Sequence, residues 1–260
     1  MSRRFLVQIE YDGTSYCGWQ AQDIKKSKKP SIQQVVEGAI FKLFNTRVKV
    51  YSSGRTDSGV HSLAQYAHFD VDTHFSDFKI LKAINSYLPE DVAIVQCRQV
   101  GRDFNSRFLP SIRTYTYTIV NRSVRPVIQR MYCCFIPYHL NVRRMQKEIK
   151  FIIGKHDFKC FQAKDKKERL GIRTITAASV RKRGDKIYIQ ISANGFLYNM
   201  VRNIVGTLID IGRGKLPQGS MKKILDSKDR FFAGPTAPAK GLCLTSIDFC
   251  KVTEGIVSGK

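Results

Sequence analysis

Two hydrophobic periods alternate along this chain, and their order limits the folds open to it. FLVQIEY (Phe5–Tyr11) and RTYTYTIV (Arg113–Val120) place apolar or aromatic residues at every second position, as strands with one buried face do. Between them Ile32, Val35, Val36, Ala39, Ile40, Leu43 and Phe44 recur at helical spacing, and Ser31 with Gln34 supplies a capping box at the start of that helix. Strands over RVKVYSS (Arg47–Ser53), LAQYAHFD (Leu63–Asp70) and Val92–Gln99, with a helix over Asp77–Tyr87, complete a β-α-β-β-α-β-β order. That order is one of a split βαβ, ferredoxin-like unit.

The second half keeps the rhythm. A helix is expected over Val142–Ile153, strands over Arg173–Arg183 and Lys186–Ala193 joined at the hairpin turn Gly184-Asp185, and a helix over Phe196–Ile211. A short helix near Ser220–Ser227 and a strand over Leu242–Phe249 follow. The expected class is α+β, in two ferredoxin-like (RRM-like) halves whose sequences do not visibly repeat. The boundary expectation is 1–125 for an N-terminal domain and 126–260 for a C-terminal one.

Charge narrows the partners. Lys and Arg total 44 against 21 Asp and Glu, a net +23 on 260 residues. Such a field attracts polyanions, nucleic acid first, because neutralised phosphates release counterions. An anionic membrane surface would call for a basic amphipathic helix or a lipidation signal, and neither is present. No run approaches the roughly 18 apolar residues of a membrane span, and MSRRFLVQIEYDG breaks its apolar run at Gln8 and Glu10, as a strand does and a signal peptide does not. The seven cysteines are odd in number, form no C-x-x-C and pair with no histidine at zinc-site spacing. Reduced thiols in the cytoplasm fit that pattern.

GRTDSGVHS (Gly54–Ser62) concentrates chemistry in a glycine-bounded turn between two strands. Asp57 is either a turn former bonding its local backbone or a carboxylate presented against the chain's own positive field. Arg55, two residues away, is placed to keep that carboxylate ionised. Tyr115 and Tyr117 share one face of their strand, either as cross-strand packing or as a platform on which a base stacks. Arg202 falls beside the apolar stripe of its helix, an exposed arginine or a partner for Asp57. His68, within a strand, reads as structural, whereas His61 is open between roles. There is no metal constellation, P-loop, G-x-G-x-x-G or G-x-S-x-G, so any chemistry rests on side chains alone.

Eight segments together carry a resemblance. YDGTSYCGWQAQ (Tyr11–Gln22), SGRTDSGVHS (Ser53–Ser62), NSYLPEDVAI (Asn85–Ile94), DFNSRF (Asp103–Phe108), RTYTYTI (Arg113–Ile119), GKHDFKCF (Gly154–Phe161), NGFLYNMVRNIVG (Asn194–Gly206) and APAKGLCL (Ala237–Leu244) run in order over most of the chain. In that set the sequence resembles the TruA-type tRNA pseudouridine synthases. The resemblance implies that Asp57 is the catalytic aspartate, that Arg55 helps displace and replace the flipped base, and that Tyr115 stacks on it. It implies that Arg202 pairs with the aspartate and that Leu244 lines the pocket. It further implies two halves sharing a continuous, mostly antiparallel sheet with helices on one face and the catalytic cleft between them, a cytoplasmic homodimer, and no metal or organic cofactor. The expected substrate is the anticodon arm of tRNA, at positions 38 to 40. Departures are small: Ser58 and Ser62 stand where alanine or another small residue is common, Cys243 where side chains vary, and Asp23–Pro30, with its Lys25–Lys29 charge run, is an added loop.

Two other readings stand beside this one. A tRNA-binding or chaperone protein on the same fold would need the charge and the aromatics but not Asp57 or Arg202. A nucleotide-modifying enzyme of another kind, such as a methyltransferase, would need a cofactor site that the sequence does not display.

Overall fold

A computed structural model describes residues 2–22, 27–164 and 170–249. Part of the Lys25–Lys29 run therefore lies outside the described residues. The α+β expectation holds: helices and strands alternate, and the chain gathers into two compact units, residues 1–111 with 244–260, and residues 112–243.

In the first unit β1 (Ser2–Tyr11) is central, antiparallel to β3 (His61–Asp72) on one side and to β4 (Val92–Val100) on the other. Short β2 (Tyr51–Ser52) also pairs with β3. The odd positions of β1 and β3, Phe5, Val7, Ile9, Ala67, Phe69 and Val71, are buried against α1 (Ile32–Phe44) and α2 (Asp77–Asn85). This is what period two requires of a sheet with helices on one face. Ser31 caps α1, its hydroxyl accepting from Gln34 N–H while the Gln34 side chain accepts from Ser31 N–H, so the capping box forms as expected. RVKVYSS does not form the full strand its pattern suggested; only Tyr51 and Ser52 pair. The α1 side chains supply the reason: Glu37 accepts from Val50 N–H and Gln33 donates to Val50 C=O, so that backbone is satisfied without a ladder.

In the second unit β5 (Ser111–Asn121) is antiparallel to β9 (Lys186–Ala193), which pairs with β8 (Ile172–Arg183), which pairs with β7 (Gly154–Asp157). Gly184 turns the β8–β9 hairpin at φ +57°, a conformation glycine adopts without strain. The three-residue β6 (Cys134–Ile136) adds a parallel pair, beside the end of β5. Tyr115, Tyr117 and Ile119 stand opposite Ile191, Ile189 and Ile187, and all six are buried. Helices α3 (Val142–Glu148), α4 (Met200–Gly212) and α5 (Ser220–Ser227) pack on one another. The helix expected over Val142–Ile153 tightens into 3₁₀ geometry at Ile149–Ile152, a common helix ending. The one expected from Phe196 starts at Met200, because Asn199 sits in the left-handed region at φ +58° and interrupts the helical backbone. The last strand, β10 (Leu242–Phe249), follows the expected bounds.

Candidate active site

In the first unit the turn carrying Asp57 is clamped from several directions. Val60 N–H donates to Asp57 C=O (3.1 Å) across a tight turn whose third residue, Gly59, has φ +76°. Upstream, Gln65 donates to Gly54 C=O (2.9 Å) and Ser52 Oγ reaches the same carbonyl (2.8 Å). At the centre, the buried Thr56 meets the Tyr11 hydroxyl (2.8 Å), and its carbonyl accepts from Trp19 N–H (3.2 Å). Ser58 Oγ donates to Tyr16 C=O (3.1 Å). Asp57 is half-buried and Arg55 exposed, with Thr56 pointing inward between them.

Two glycines explain why YDGTSYCGWQAQ accompanies this turn. A Cβ on Gly13 would stand 2.1 Å from Val60 O, and one on Gly18 2.6 Å from Thr56 O and 3.0 Å from the Asp57 carbonyl carbon. Gly18 also has φ +102°. The two segments approach backbone to backbone, and only glycine fits. Gly13 N–H donates to Nδ1 of the buried His61 (3.1 Å). Asp12 Oδ1 lies 3.0 Å from the same Nδ1 and accepts from the amide and hydroxyl of Thr14. His61 is thus a buttress of this loop. His68 is structural, as expected: it is buried, its Nδ1 lies 2.8 Å from Ser106 Oγ, and Tyr51 stacks on its ring. Burial, with Arg4 nearby, lowers its pKa to about 4. Leu244, in the same unit, is buried, and its carbonyl accepts from the buried Ser62 hydroxyl (3.5 Å).

In the second unit Arg202 is the half-buried position of α4, the remaining residues of that helix being buried. Its Nε donates to Ala237 C=O (2.7 Å) and a terminal nitrogen to Asn199 Oδ1 (2.9 Å), so the side chain is held by a neighbouring strap of chain rather than extended into water. Tyr117 is buried and its hydroxyl donates to Pro238 C=O (2.8 Å), one residue beyond the carbonyl that holds Arg202. Burial drives its ionisation far above the usual tyrosine range. Tyr115, also buried, meets Phe196 edge-on at 5.2 Å. The two tyrosines of one strand face thus part company: Tyr117 fastens the strap, and Tyr115 lies against an aromatic neighbour at the start of the loop into α4.

Asn203 escaped the sequence reading. It is buried in an otherwise apolar stretch of α4, donates to Phe161 C=O (2.7 Å), and accepts from Arg230 (3.2 Å) and Thr236 (2.6 Å). Its signal in sequence was a carboxamide on the inward side of a hydrophobic helix, where an unpartnered amide would be costly. Among the described residues no group of three or more His, Cys, Asp or Glu side chains is arranged to hold a metal ion, and no helix is long and apolar enough to cross a membrane.

Known proteins carry the same pattern. A family described as tRNA pseudouridine synthase matches residues 8–108 and 149–250. The chain belongs to this family. The tRNA pseudouridine synthase A 2 of Clostridium perfringens (strain 13 / Type A) is 43% identical over 245 residues, covering 94% of this chain and 99% of that one. The tRNA pseudouridine synthase A of Thermoanaerobacter sp. (strain X514) is 42% identical over 245 residues, with the same two coverages, 94% and 99%. That of Anaplasma phagocytophilum (strain HZ) is 40% identical over 247 residues, 95% of this chain and 100% of that one. A looser likeness to a solved Cbf5-Nop10-Gar1 complex, TM-score 0.36 at 11% identity over 79% of this chain and 45% of that one, carries no argument. As a tRNA pseudouridine synthase the chain is an isomerase that modifies tRNA. All the turn contacts described above lie within the matched segments.

Proposed function

We propose that this tRNA pseudouridine synthase acts on the anticodon arm, at tRNA positions 38, 39 and 40, with the Asp57 carboxylate as the group that acts on the sugar of the flipped nucleotide. The observation that carries the reading is the mounting of Asp57: a half-buried carboxylate on a turn held by Tyr11, Trp19, Tyr16 and Gln65 through hydrogen bonds of 2.8–3.2 Å. A turn former that only closed its own loop would need none of these outside anchors. Fixing a reactive group in advance removes the orientation penalty from the chemical step.

The reaction breaks the bond from C1′ to N1 and forms one from C1′ to C5; C5 gives up its proton to water and the freed N1 takes one up, so the product is an isomer. The nucleotide must first leave its stack, at a cost of a few kcal/mol. The net charge of +23 attracts the phosphates. Arg55, exposed beside the turn, takes the place of the extruded base. Tyr115 offers a ring face, Arg202 a positive charge that favours the ionised carboxylate, and Leu244 an apolar wall. Asp57 works either as nucleophile at C1′ or as the base that removes the 2′ proton, and both routes require it ionised. A cytoplasmic homodimer belongs to the same proposal and rests on the family resemblance.

Tritium release from transcripts carrying 5-tritiated uridine tests it, with wild type and Asp57→Asn side by side. The wild type is expected to release tritium, most of it from uridines 38–40, and the variant to lose more than about 10³-fold in rate while still binding tRNA. Equal loss of binding and activity would remove Asp57 from its role. No release from either protein, with tight binding retained, would favour the non-catalytic tRNA-binding reading.

A further inference from the structure

We infer that Phe231 and Phe232 form a stacking wedge for unpaired bases of the RNA substrate, a contact additional to the residues assigned to the reaction; the inference rests on tRNA being that substrate. The two rings are 87% and 55% exposed and meet edge to face at 5.6 Å. Two adjacent exposed rings in contact make a contiguous apolar patch rather than a single scattered side chain, and such patches mark interaction sites.

Their mount is stiff. They sit on a single 3₁₀ turn, Arg230–Phe232, capped by Asp229, whose carboxylate accepts from Phe231 N–H (2.9 Å). Arg230 donates to Ala233 C=O (3.1 Å) and to buried Asn203 (3.2 Å), and Gly234 N–H donates to the buried Thr207 hydroxyl (2.9 Å). A Cβ on Gly206 would stand 1.6 Å from Pro235 O, so this strap lies directly on the α4 backbone. The same strap ends at Ala237, whose carbonyl holds the Arg202 guanidinium. The exposed rings are thus rigidly coupled to the segment that positions Arg202.

An unpaired base suits this wedge. Each base presents a flat π face whatever its sequence, and the exposed Lys228, three residues before Phe231, supplies positive charge close by in the chain for an adjoining phosphate. A second copy of the chain fits less well. Two rings fall far short of the roughly 800 Å² per partner of a stable protein interface.

The test compares tritium-release kinetics on a tRNA transcript for the wild type and the Phe231→Ala/Phe232→Ala double variant. KM is expected to rise about 5- to 150-fold, the loss of one stacked base, with kcat changed less than about threefold. A Tyr/Tyr double variant should restore KM, and a Leu/Leu variant, apolar but without a π face, should not. In Phe231→Trp the new indole should be quenched when transcript is added, against the buried Trp19. An unchanged KM in the alanine variant, full rescue by Leu/Leu, or a changed sedimentation coefficient with normal KM would overturn the wedge, the last in favour of self-association. If the wild type releases no tritium, the proposed function fails, and quenching at position 231 still decides the stacking.

Discussion

The turn carrying Asp57 and the strap carrying Ala237 are both irregular segments held in one conformation, by different means. Around Asp57 the grip is largely loop on loop: Trp19 N–H, Tyr16 C=O and the close approaches of Gly13 and Gly18 all come from the segment that follows β1. Around Ala237 the grip is a helix: Asn203, Thr207 and Gly206 of α4 hold Arg230, Thr236, Gly234 and Pro235. The first arrangement fixes a charged side chain by immobilising its own backbone. The second fixes a charged side chain, Arg202, by immobilising the carbonyl it bonds. Damage to the clamp of the first should therefore appear mainly in turnover, and damage to the second mainly in stability.

Gly18→Ala breaks the first clamp. The new methyl meets only backbone atoms, Thr56 O at 2.6 Å and the Asp57 carbonyl carbon at 3.0 Å, at a φ of +102°. Nothing there is the flexible end of a side chain, so the Asp57 turn itself must shift. A displacement near 1 Å at a reacting group is worth about 10²-fold. The expected outcome is a kcat lowered roughly 100-fold with KM altered far less, measured by tritium release on a folded variant. An unaffected kcat would show that the turn tolerates movement and would dissolve the contrast.

Gly206→Ala breaks the second. In an open helix interior alanine would gain about 1 kcal/mol over glycine. Here its methyl would stand 1.6 Å from Pro235 O, so the strap must lift from α4. Overpacking of about 3 kcal/mol corresponds to a fall in Tm of about 6–12 °C for a chain of this size. Thermal unfolding by circular dichroism checks it; a Tm at or above wild type would mean the strap moves freely.

Sequence patterns read the frame better than these clamps. Lys186–Ala193, Ser220–Ser227 and Leu242–Phe249 form with the expected bounds, because period and turn residues alone determine them. RVKVYSS was misread because Gln33 and Glu37, from a helix earlier in the chain, satisfy Val50, and no local pattern encodes that. The start of α4 was misread because Asn199 takes the left-handed conformation that asparagine tolerates and its side chain serves Arg202. Strands of three or four residues, β6 and β7, carry too few positions for a period to show. At the candidate site, a charged turn bounded by glycines was visible, as were Gly13 and Gly18 as letters. Their reason, an approach of two backbones to within a methyl group's reach, exists only in three dimensions. The same holds for Tyr115 and Tyr117: period two puts them on one face, and only packing shows that Tyr117 fastens the strap.

The smallest effect separates the two units by pH. β3 leaves the Asp57 turn and carries His68, whose folded pKa is about 4 against an ordinary 6.5, chiefly through burial. Arg4 lowers it further and Asp70 opposes. A folded pKa below the unfolded one means that the unfolded chain binds the proton first. Stability is therefore full above about pH 6.5, falls as pH drops from there toward about 4, and levels off below. At pH 5 the loss is about 2 kcal/mol, on the order of 4–8 °C in Tm. Asp70, held low by Arg4, adds its own loss only when pH falls through the lower carboxylate range, so the window from 6.5 to 5 belongs mainly to His68. The strap of the second unit is held by the uncharged Asn203 and Thr207 and should be indifferent to this change. Amide hydrogen exchange at pH 7 and pH 5, corrected for intrinsic rates, should show β3 losing protection while the inner turns of α4 keep theirs. In His68→Gln the pH-dependent part of the β3 loss should disappear, even though the substitution lowers stability at both pH values. Equal loosening of β3 and α4 would mean that the two clamps open as one cooperative unit, and the division drawn between them would then hold for geometry but not for energy.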